Sequence, residues 1–573
     1  MKSRLVFASA LVVAVLALTP ASAQPVGDAT LPFGSWRLTT LHGTAAEPDT
    51  APTIAFDVDG RVSGNGGCNT YGSQATLTPA GLTLTHAFST RMACSPEIDQ
   101  RETEFFEALE QTAAHQVSGD ALLLFDGSGQ EVASFVLVSA EPQEQAADVT
   151  PVVHDGATLF QNVRIFDGSG ADLSPPSNVL VDGNLIAAIS TDPIDTGAAD
   201  VTLIEGDGRV LMPGLIDAHW HSLLVGVPPD PNLGVGFFNL IGAVQAEATL
   251  MRGFTTVRDM GGPVFDLKRV IDAGLFPGPR IYPSGAMITV TSGHGDFRSP
   301  AADLPRRIGE LTVMERIGMA LVADSPDEVR LRVREQLMLG AVHVKLTAGG
   351  GVASPFSPLD VSTFTEEELR AGVEAAENWG TYLTVHAYTP EAMQRAINAG
   401  VPVIEHGHLM DEETAQMVAE HGIWLSIQPF HELLGAGLNE NSHEKFLEVL
   451  AGTERAYRLA RQYNIKLAFG TDILFSPVLA RAQGATLVQL QNWFTPAEAL
   501  HMATGANGEL LRLTGPRNPY PGTIGLIQEG AYADILLVDG NPLEDLSLVS
   551  RPDDTFLVIM KDGVIYKNLV SEQ

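Results

Sequence analysis

Apolar and polar positions follow two rhythms along this chain. Between about Leu31 and Val138, short runs keep the two-residue period of strands, as in Thr53-Ile54-Ala55-Phe56-Asp57-Val58, Leu82-Thr83-Leu84 and Ala121-Leu122-Leu123-Leu124-Phe125. Asp59-Gly60 and Asp126-Gly127 read as the turns between them, and one helical stretch, 102–112, interrupts the series. Strand patterns return at 160–168 and 178–189, and again near the far end at 533–540 and 556–563. Flanking strands of like character predict one β-sandwich closed by both ends of the region. Between them, short apolar strands alternate with helical patterns, which marks a parallel α/β fold. Eight strand candidates stand out: 215–221, 253–259, 280–284, 341–347, 382–387, 403–406, 423–428 and 466–471. Eight strands with crossover helices predict a TIM (β/α)8 barrel. Thr365-Glu366-Glu367-Glu368 and Thr495-Pro496-Ala497-Glu498 read as capping boxes, Thr389-Pro390 as a cap with proline at the first helical position, and 285–322 as a lid or rim.

The domain plan is therefore a leader at 1–23, a small β-rich domain at 24–140, a linker at 141–156, the sandwich at 157–211 and 515–573, and the barrel at 212–514. The leader is read from Lys2 and Arg4 before an apolar run from Leu5 to Leu18, then Ala21-Ser22-Ala23, a small-x-small cleavage signal. That run is shorter than the roughly 20 residues a spanning helix needs. Cleavage after Ala23 and a periplasmic or secreted protein are expected, with no integral membrane segment left in the mature chain. Cys68 and Cys94, the only cysteines, both fall in the first domain, and an exported chain meets oxidising conditions, so a disulfide between them is expected. The formal charge is −35, and loss of Lys2 and Arg4 makes it two units more negative. Such a surface repels nucleic acid and anionic membranes. A homo-oligomer is compatible with it.

Candidate chemistry collects at the C-terminal ends of the barrel strands, where catalytic residues of this fold sit. In Asp217-Ala218-His219-Trp220-His221 the two histidines share one face of a strand, which makes half of a metal site. Lysine occurs seven times in 573 residues, so Lys345, directed inward from the apolar strand Ala341-Val342-His343-Val344-Lys345-Leu346, stands apart. His386, His406 and Asp472 follow at the ends of later strands. His343 reads as a buried barrel residue, and His408 lies outside the metal pattern.

Two resemblances carry these residues further. Gly60-Arg61-Val62-Ser63-Gly64-Asn65-Gly66-Gly67-Cys68-Asn69-Thr70-Tyr71, with Met92-Ala93-Cys94 downstream, resembles the META (HslJ-like) domain of secreted bacterial proteins, which implies a small β-rich fold and no chemistry. Over 158–568 the chain resembles the amidohydrolase superfamily, in the branch around imidazolonepropionase and Xaa-Pro dipeptidase-like exported carboxypeptidases. The motifs are Pro213-Gly214-Leu215-Ile216-Asp217-Ala218-His219-Trp220-His221, Thr255-Thr256-Val257-Arg258-Asp259, Gly293-His294-Gly295, Lys345 with Gly349-Gly350-Gly351, Glu405-His406-Gly407 and Gly470-Thr471-Asp472. The resemblance implies two divalent ions, Zn2+ by preference. His219, His221 and Asp472 would hold one and His386 and His406 the other, with Lys345, carboxylated by carbon dioxide, between them. An ammonium about 4 Å from a dication would be repelled by on the order of 8 kcal/mol at an effective dielectric of ~20, which is why the amine must lose its proton.

The expected reaction is hydrolysis of a C–N bond in a dipeptide or N-acyl amino acid, with Asp472 moving the proton and His294 binding substrate. Arg258 and Arg298 are the candidate grips for a substrate carboxylate. Two other classes stay open. A deaminase or cyclic-amide hydrolase of the same superfamily would use similar ligands, usually with one metal and no bridging lysine, and a non-catalytic binding protein would need no metal. Metal content separates all three.

Overall fold

The computed structural model describes residues 32, 34–47, 51–56, 61–78, 81–84, 88–89, 96–118, 121–137, 156–170, 172–196, 201–227, 233–298, 310–435 and 438–570. The leader at 1–23, residues 141–155 of the linker, and Cys94 lie outside them. The chain divides into two compact units, Met1–Ala146 and Ala147–Gln573.

In the first unit, antiparallel strands run in the order Gly81–Leu84, Thr70–Thr78, Arg61–Asn65, Thr53–Phe56, Gly34–Leu41, Glu131–Leu137, Ala121–Asp126 and Thr112–Ser118. The helix Pro96–Gln111 places Phe105, Ala108 and Leu109, spaced three and four residues apart, in one core with Trp36, Ile54, Phe56, Leu122 and Phe135. From the same helix the buried carboxylate of Glu102 accepts the backbone N–H groups of Cys68 (3.3 Å) and Asn69 (2.7 Å) and the Asn69 amide (2.7 Å). Those bonds fasten the helix to the glycine-rich turn that carries Cys68.

In the second unit, both ends of the region meet in one sheet. Its path is Leu185–Ser190, Ser177–Asp182, Ala157–Ile165, Val210–Pro213, Ile535–Val538, Phe556–Lys561 and Val564–Asn568, with Val201–Glu205 beside Ala157–Ile165. Val210 pairs with Val538 and Pro213 with Ile535, so the strand that leads into the barrel is clamped by the C-terminal segment. The sheet wraps a core of its own that includes Phe160, Val179, Leu537 and Val558.

The barrel strands are Leu215–Trp220, Phe254–Asp259, Arg280–Pro283, Val344–Thr347, Leu383–Ala387, Val403–His406, Trp424–Ile427 and Lys466–Phe469. All eight predicted strands are present, but the third is longer and broken. At Gly285 (φ 74°), a backbone conformation that glycine tolerates and other residues resist, the chain turns and resumes as Met287–Thr289, where Ile288 pairs with Leu346 of the fourth strand. The reading of 285–322 as lid or rim is corrected accordingly: its first residues belong to the barrel wall, and Ala320–Val322 adds a further strand beside them. Asp217 closes the barrel. Its buried carboxylate accepts the Thr471 N–H (3.1 Å), the Thr471 hydroxyl (2.7 Å) and the Gln483 amide (2.9 Å), tying the first strand to the last. The capping boxes at Thr365 and Thr495 form. Thr389 starts its helix with Pro390 at the first position, but its hydroxyl makes no bond to the helix backbone.

Candidate metal and active site

Alternation along the first strand aims His219 and His221 into the barrel mouth. There Asp472 Oδ1, from the loop after the eighth strand, lies 3.2 Å from the Nε2 of each. His219, His406 and Asp472 place one ligand atom each within 4.8 Å of one another, the spacing a shared cation needs. The His386 and His406 rings stand 4.3 Å apart, centroid to centroid, and the His219 and His406 rings 5.0 Å apart. Lys345, on the fourth strand, opens into the same cavity as these five residues. The structure thus brings all six sequence-predicted ligands to one place.

The donor set fits divalent cations. His219 Nδ1 is bonded to Glu405 (2.9 Å), and His406 Nδ1 to Gln428 Oε1 (2.6 Å). Each therefore keeps Nε2 for a metal, oriented from behind by its other nitrogen. His386 donates its Nε2–H to the Gly350 carbonyl (2.8 Å), which leaves Nδ1 unprotonated. The buried Nδ1 of His221 has no partner among the described residues. Lys345 is 2% exposed and makes no hydrogen bond among them, and burial pulls its amine down to about 8. Burial by itself would raise the Asp472 carboxyl, but the charge and hydrogen bond of His219 and the hydrogen bond of His221 hold it well below the ordinary carboxylate range. Burial drives His386 and His406 well below the ordinary imidazole range, so both are neutral, as metal ligands must be.

Two ligands sit on unusual backbone. His406 (φ 80°) and Asp472 (φ 53°) are left-handed, a conformation that is strained for residues other than glycine. For His406 a cause is visible. Glu405 turns inward to meet His219 and Arg258, alternation would send the next side chain outward, and the left-handed turn returns His406 to the cavity.

His294 lines the cavity with its ring 4.3 Å from that of His386. Its Nδ1 bonds the Ser354 hydroxyl (2.8 Å), and burial lowers it to about 4, so at neutral pH it is an uncharged imidazole with Nε2 left for substrate. Gly351 permits this approach, since a Cβ there would lie 2.0 Å from His294 Nδ1.

The two arginines read as carboxylate grips do something else. Arg258 is fully buried beneath the site and donates Nε to the Ala218 carbonyl (2.6 Å), Nη1 to the Tyr382 hydroxyl (3.2 Å) and Nη2 to Glu405 Oε1 (2.6 Å). Arg298 is paired with Asp296 (2.6 and 2.7 Å) and with the Thr291 hydroxyl (2.9 Å). Neither lines the cavity. Both are corrected from substrate contacts to residues committed to neighbours. Glu405 is the functional residue that sequence reasoning passed over. It also accepts the Thr384 hydroxyl (2.6 Å), and the cations around it hold its carboxyl far below the usual range despite complete burial. The signal available was its place in Glu405-His406-Gly407, an acid inside an apolar strand. His343 is fully buried and stacks on Tyr382 (5.5 Å), and His408 bonds the Gln428 carbonyl (2.9 Å).

The cavity above these groups measures about 550 Å³, within the usual range for small-molecule sites.

Residues 210–568 match the Amidohydrolase family and residues 29–139 the META domain. The ochratoxinase of Aspergillus niger is 32% identical over 385 residues, which span 62% of this chain and 76% of that protein. A crystal structure of a prolidase complexed with N-methylphosphonate-L-proline shares 32% identity with a TM-score of 0.65, covering 72% of this chain and all of that one. A Xaa-Pro dipeptidase with methionine bound in its active site shares 28% identity with a TM-score of 0.62, again over 72% of this chain and all of the other.

Proposed function

The chain belongs to the amidohydrolase family and is a hydrolase of carbon–nitrogen bonds, and on that premise we propose that it is an exported, binuclear zinc enzyme cleaving an amide or peptide bond in a small substrate. The observation that carries the reading is the convergence of His219, His221, Lys345, His386, His406 and Asp472 on one cavity. Relatives named as an ochratoxinase, a prolidase and a Xaa-Pro dipeptidase support amide substrates, a dipeptide or an N-acyl amino acid among them.

His219, His221 and Asp472 would hold one ion and His386 and His406 the other, with Lys345 as a carbamate between them. In forming that carbamate the neutral amine attacks carbon dioxide, an N–C bond is made and the amine proton leaves. An amine already lowered to about 8 presents the reactive neutral form more readily than an exposed lysine would. Bound ions would supply positive charge that polarises the scissile carbonyl and acidifies water to a pKa of about 7. Asp472, ionised at neutral pH, is free to take the proton released as water adds to the carbonyl and to hand it to the departing nitrogen. His294 donates from Nε2 to the substrate carbonyl oxygen, with Ser354 fixing the ring.

Leader cleavage after Ala23 and a Cys68–Cys94 disulfide belong to the same reading of an exported protein. Metal analysis of the purified mature chain tests the centre of it. About two zinc per chain, with amidase activity lost to a chelator and restored by zinc, is expected, whereas one metal or none defeats the binuclear assignment.

A further inference from the structure

Above its floor of ligands the cavity is mostly apolar. Ser354 and Ser442 line it near His294, but Val352, Phe430 and Phe446 line it beside them. One stretch of the lining is an apolar wall built by Phe238, Met314, Met319, Leu434, Ile473 and Leu479. These six come from four separate stretches of chain yet belong to a single packed cluster, so the wall is continuous from the barrel's hydrophobic layer out to the cavity. Phe238, Met319 and Ile473 are nearly inaccessible, while Met314, Leu434 and Leu479 are half-buried and present free apolar surface to a ligand. Methionine side chains are flexible and polarisable, and two of them in one wall suit ligands of varying length better than a ligand of fixed shape. Arg258 and Arg298 are bonded to Glu405 and to Asp296. Among the described residues lining the cavity, Lys345 is the only lysine or arginine, and it sits in the floor with the metal ligands.

We propose that the site is selective for amides carrying one extended apolar arm, aliphatic or arylalkyl, laid along the wall from Phe238 to Leu479. The inference rests on the amide-hydrolase reading above and narrows it to a substrate class. Recognition is by burial of apolar surface.

The magnitude follows from transfer energetics. Each methylene removed from water against such a wall multiplies kcat/KM by about fourfold until the cavity is filled. Four methylenes, the difference between acetyl and hexanoyl, give on the order of a hundredfold. The test uses the full-length zinc-loaded enzyme and two homologous series, N-acylglycines from acetyl to decanoyl and N-acetyl-n-alkylamines from methyl to octyl. A log-linear rise in kcat/KM with chain length in either series, flattened in Met314→Gln and Leu479→Gln while metal content stays at two per chain, supports the proposal and tells which arm lies on the wall. Series that are flat or falling in both directions, with measurable turnover of the acetyl compounds, overturn it. So does an unchanged slope in both variants, which would put the apolar arm elsewhere. Turnover of no member of either series by enzyme with both metals bound overturns the small-amide reading itself, an outcome separate from the flat series.

Discussion

Replacing Arg258 by methionine separates the stability of the barrel floor from its hold on metal. Arg258 and Glu405 are both inaccessible to solvent, and Nη2 and Oε1 are 2.6 Å apart. At an effective dielectric of ~20, unit charges about 3 Å apart attract by on the order of 5 kcal/mol. The methionine variant keeps most of the side-chain volume and leaves Glu405 with the Thr384 hydroxyl and His219 as hydrogen-bond partners. Breaking a buried pair on one side costs about 3–5 kcal/mol, because the remaining charge is stranded. Urea unfolding of metal-free protein should report a loss of that size for Arg258→Met, with the ligand contribution of metal removed from the comparison. The double variant Arg258→Met/Glu405→Leu removes both charges and should recover at least half of the loss. It should not recover zinc affinity, because His219 then lacks the acceptor that orients its Nδ1, and chelator competition should show zinc held ten- to a hundredfold more weakly. A single-variant loss below about 1 kcal/mol, or a double variant no more stable than the single, would refute the view that this pair is a mutually dependent buried unit.

Three further outcomes are expected. Asp472→Asn should lower kcat by about 10²–10⁴ while the other ligands retain some metal, and near-normal turnover would remove Asp472 as the proton carrier. Lys345→Ala should lose metal and activity, with partial rescue by short-chain carboxylic acids that replace the bridge; full metal occupancy in that variant would sink the bridging role. Lys561→Met should stabilise the protein below pH 8 by on the order of 3 kcal/mol, because burial holds the Lys561 amine at about 8 in the folded state against 10.5 in the open chain. The unfolded state binds the extra proton between those values, so wild-type stability rises with pH across that window and the variant's advantage should fade from pH 8 toward 10.5; an advantage that does not change with pH would mean that packing, not charge burial, sets it.

Much of this was readable from residue order because the chemistry is carried by strand ends. Two-residue periodicity put His219 and His221 on one face and Lys345 inward, and the structure has all three at the cavity. Periodicity failed where the backbone departs from a strand. Glu405 and His406 are adjacent yet both face inward, which only the left-handed turn at His406 allows, and no alternation rule anticipates it. The third strand was cut short because Gly285 reads as an end, whereas the chain turns there and rejoins the wall. Arg258 and Arg298 were misassigned for a different reason. A charged side chain looks the same in sequence whether it faces substrate or a neighbouring acid, and the acids that decide are Glu405, 147 residues along the chain from Arg258, and Asp296, in the same turn as Arg298.

The break at Gly285 also has a bearing on how such an enzyme can change. The proposed metal ligands stand on or at the ends of the first, fourth, fifth and sixth strands and on the turn after the eighth, none of them on the interrupted third. Met314 and Met319 belong to the stretch between the resumed third strand, Met287–Thr289, and Ala320–Val322, and Leu434 to the excursion after the seventh strand. Insertions and exchanges in those two stretches that spare His294 can recut the wall of the cavity without moving a proposed ligand, so preference among substrates can drift while the hydrolytic machinery stands still.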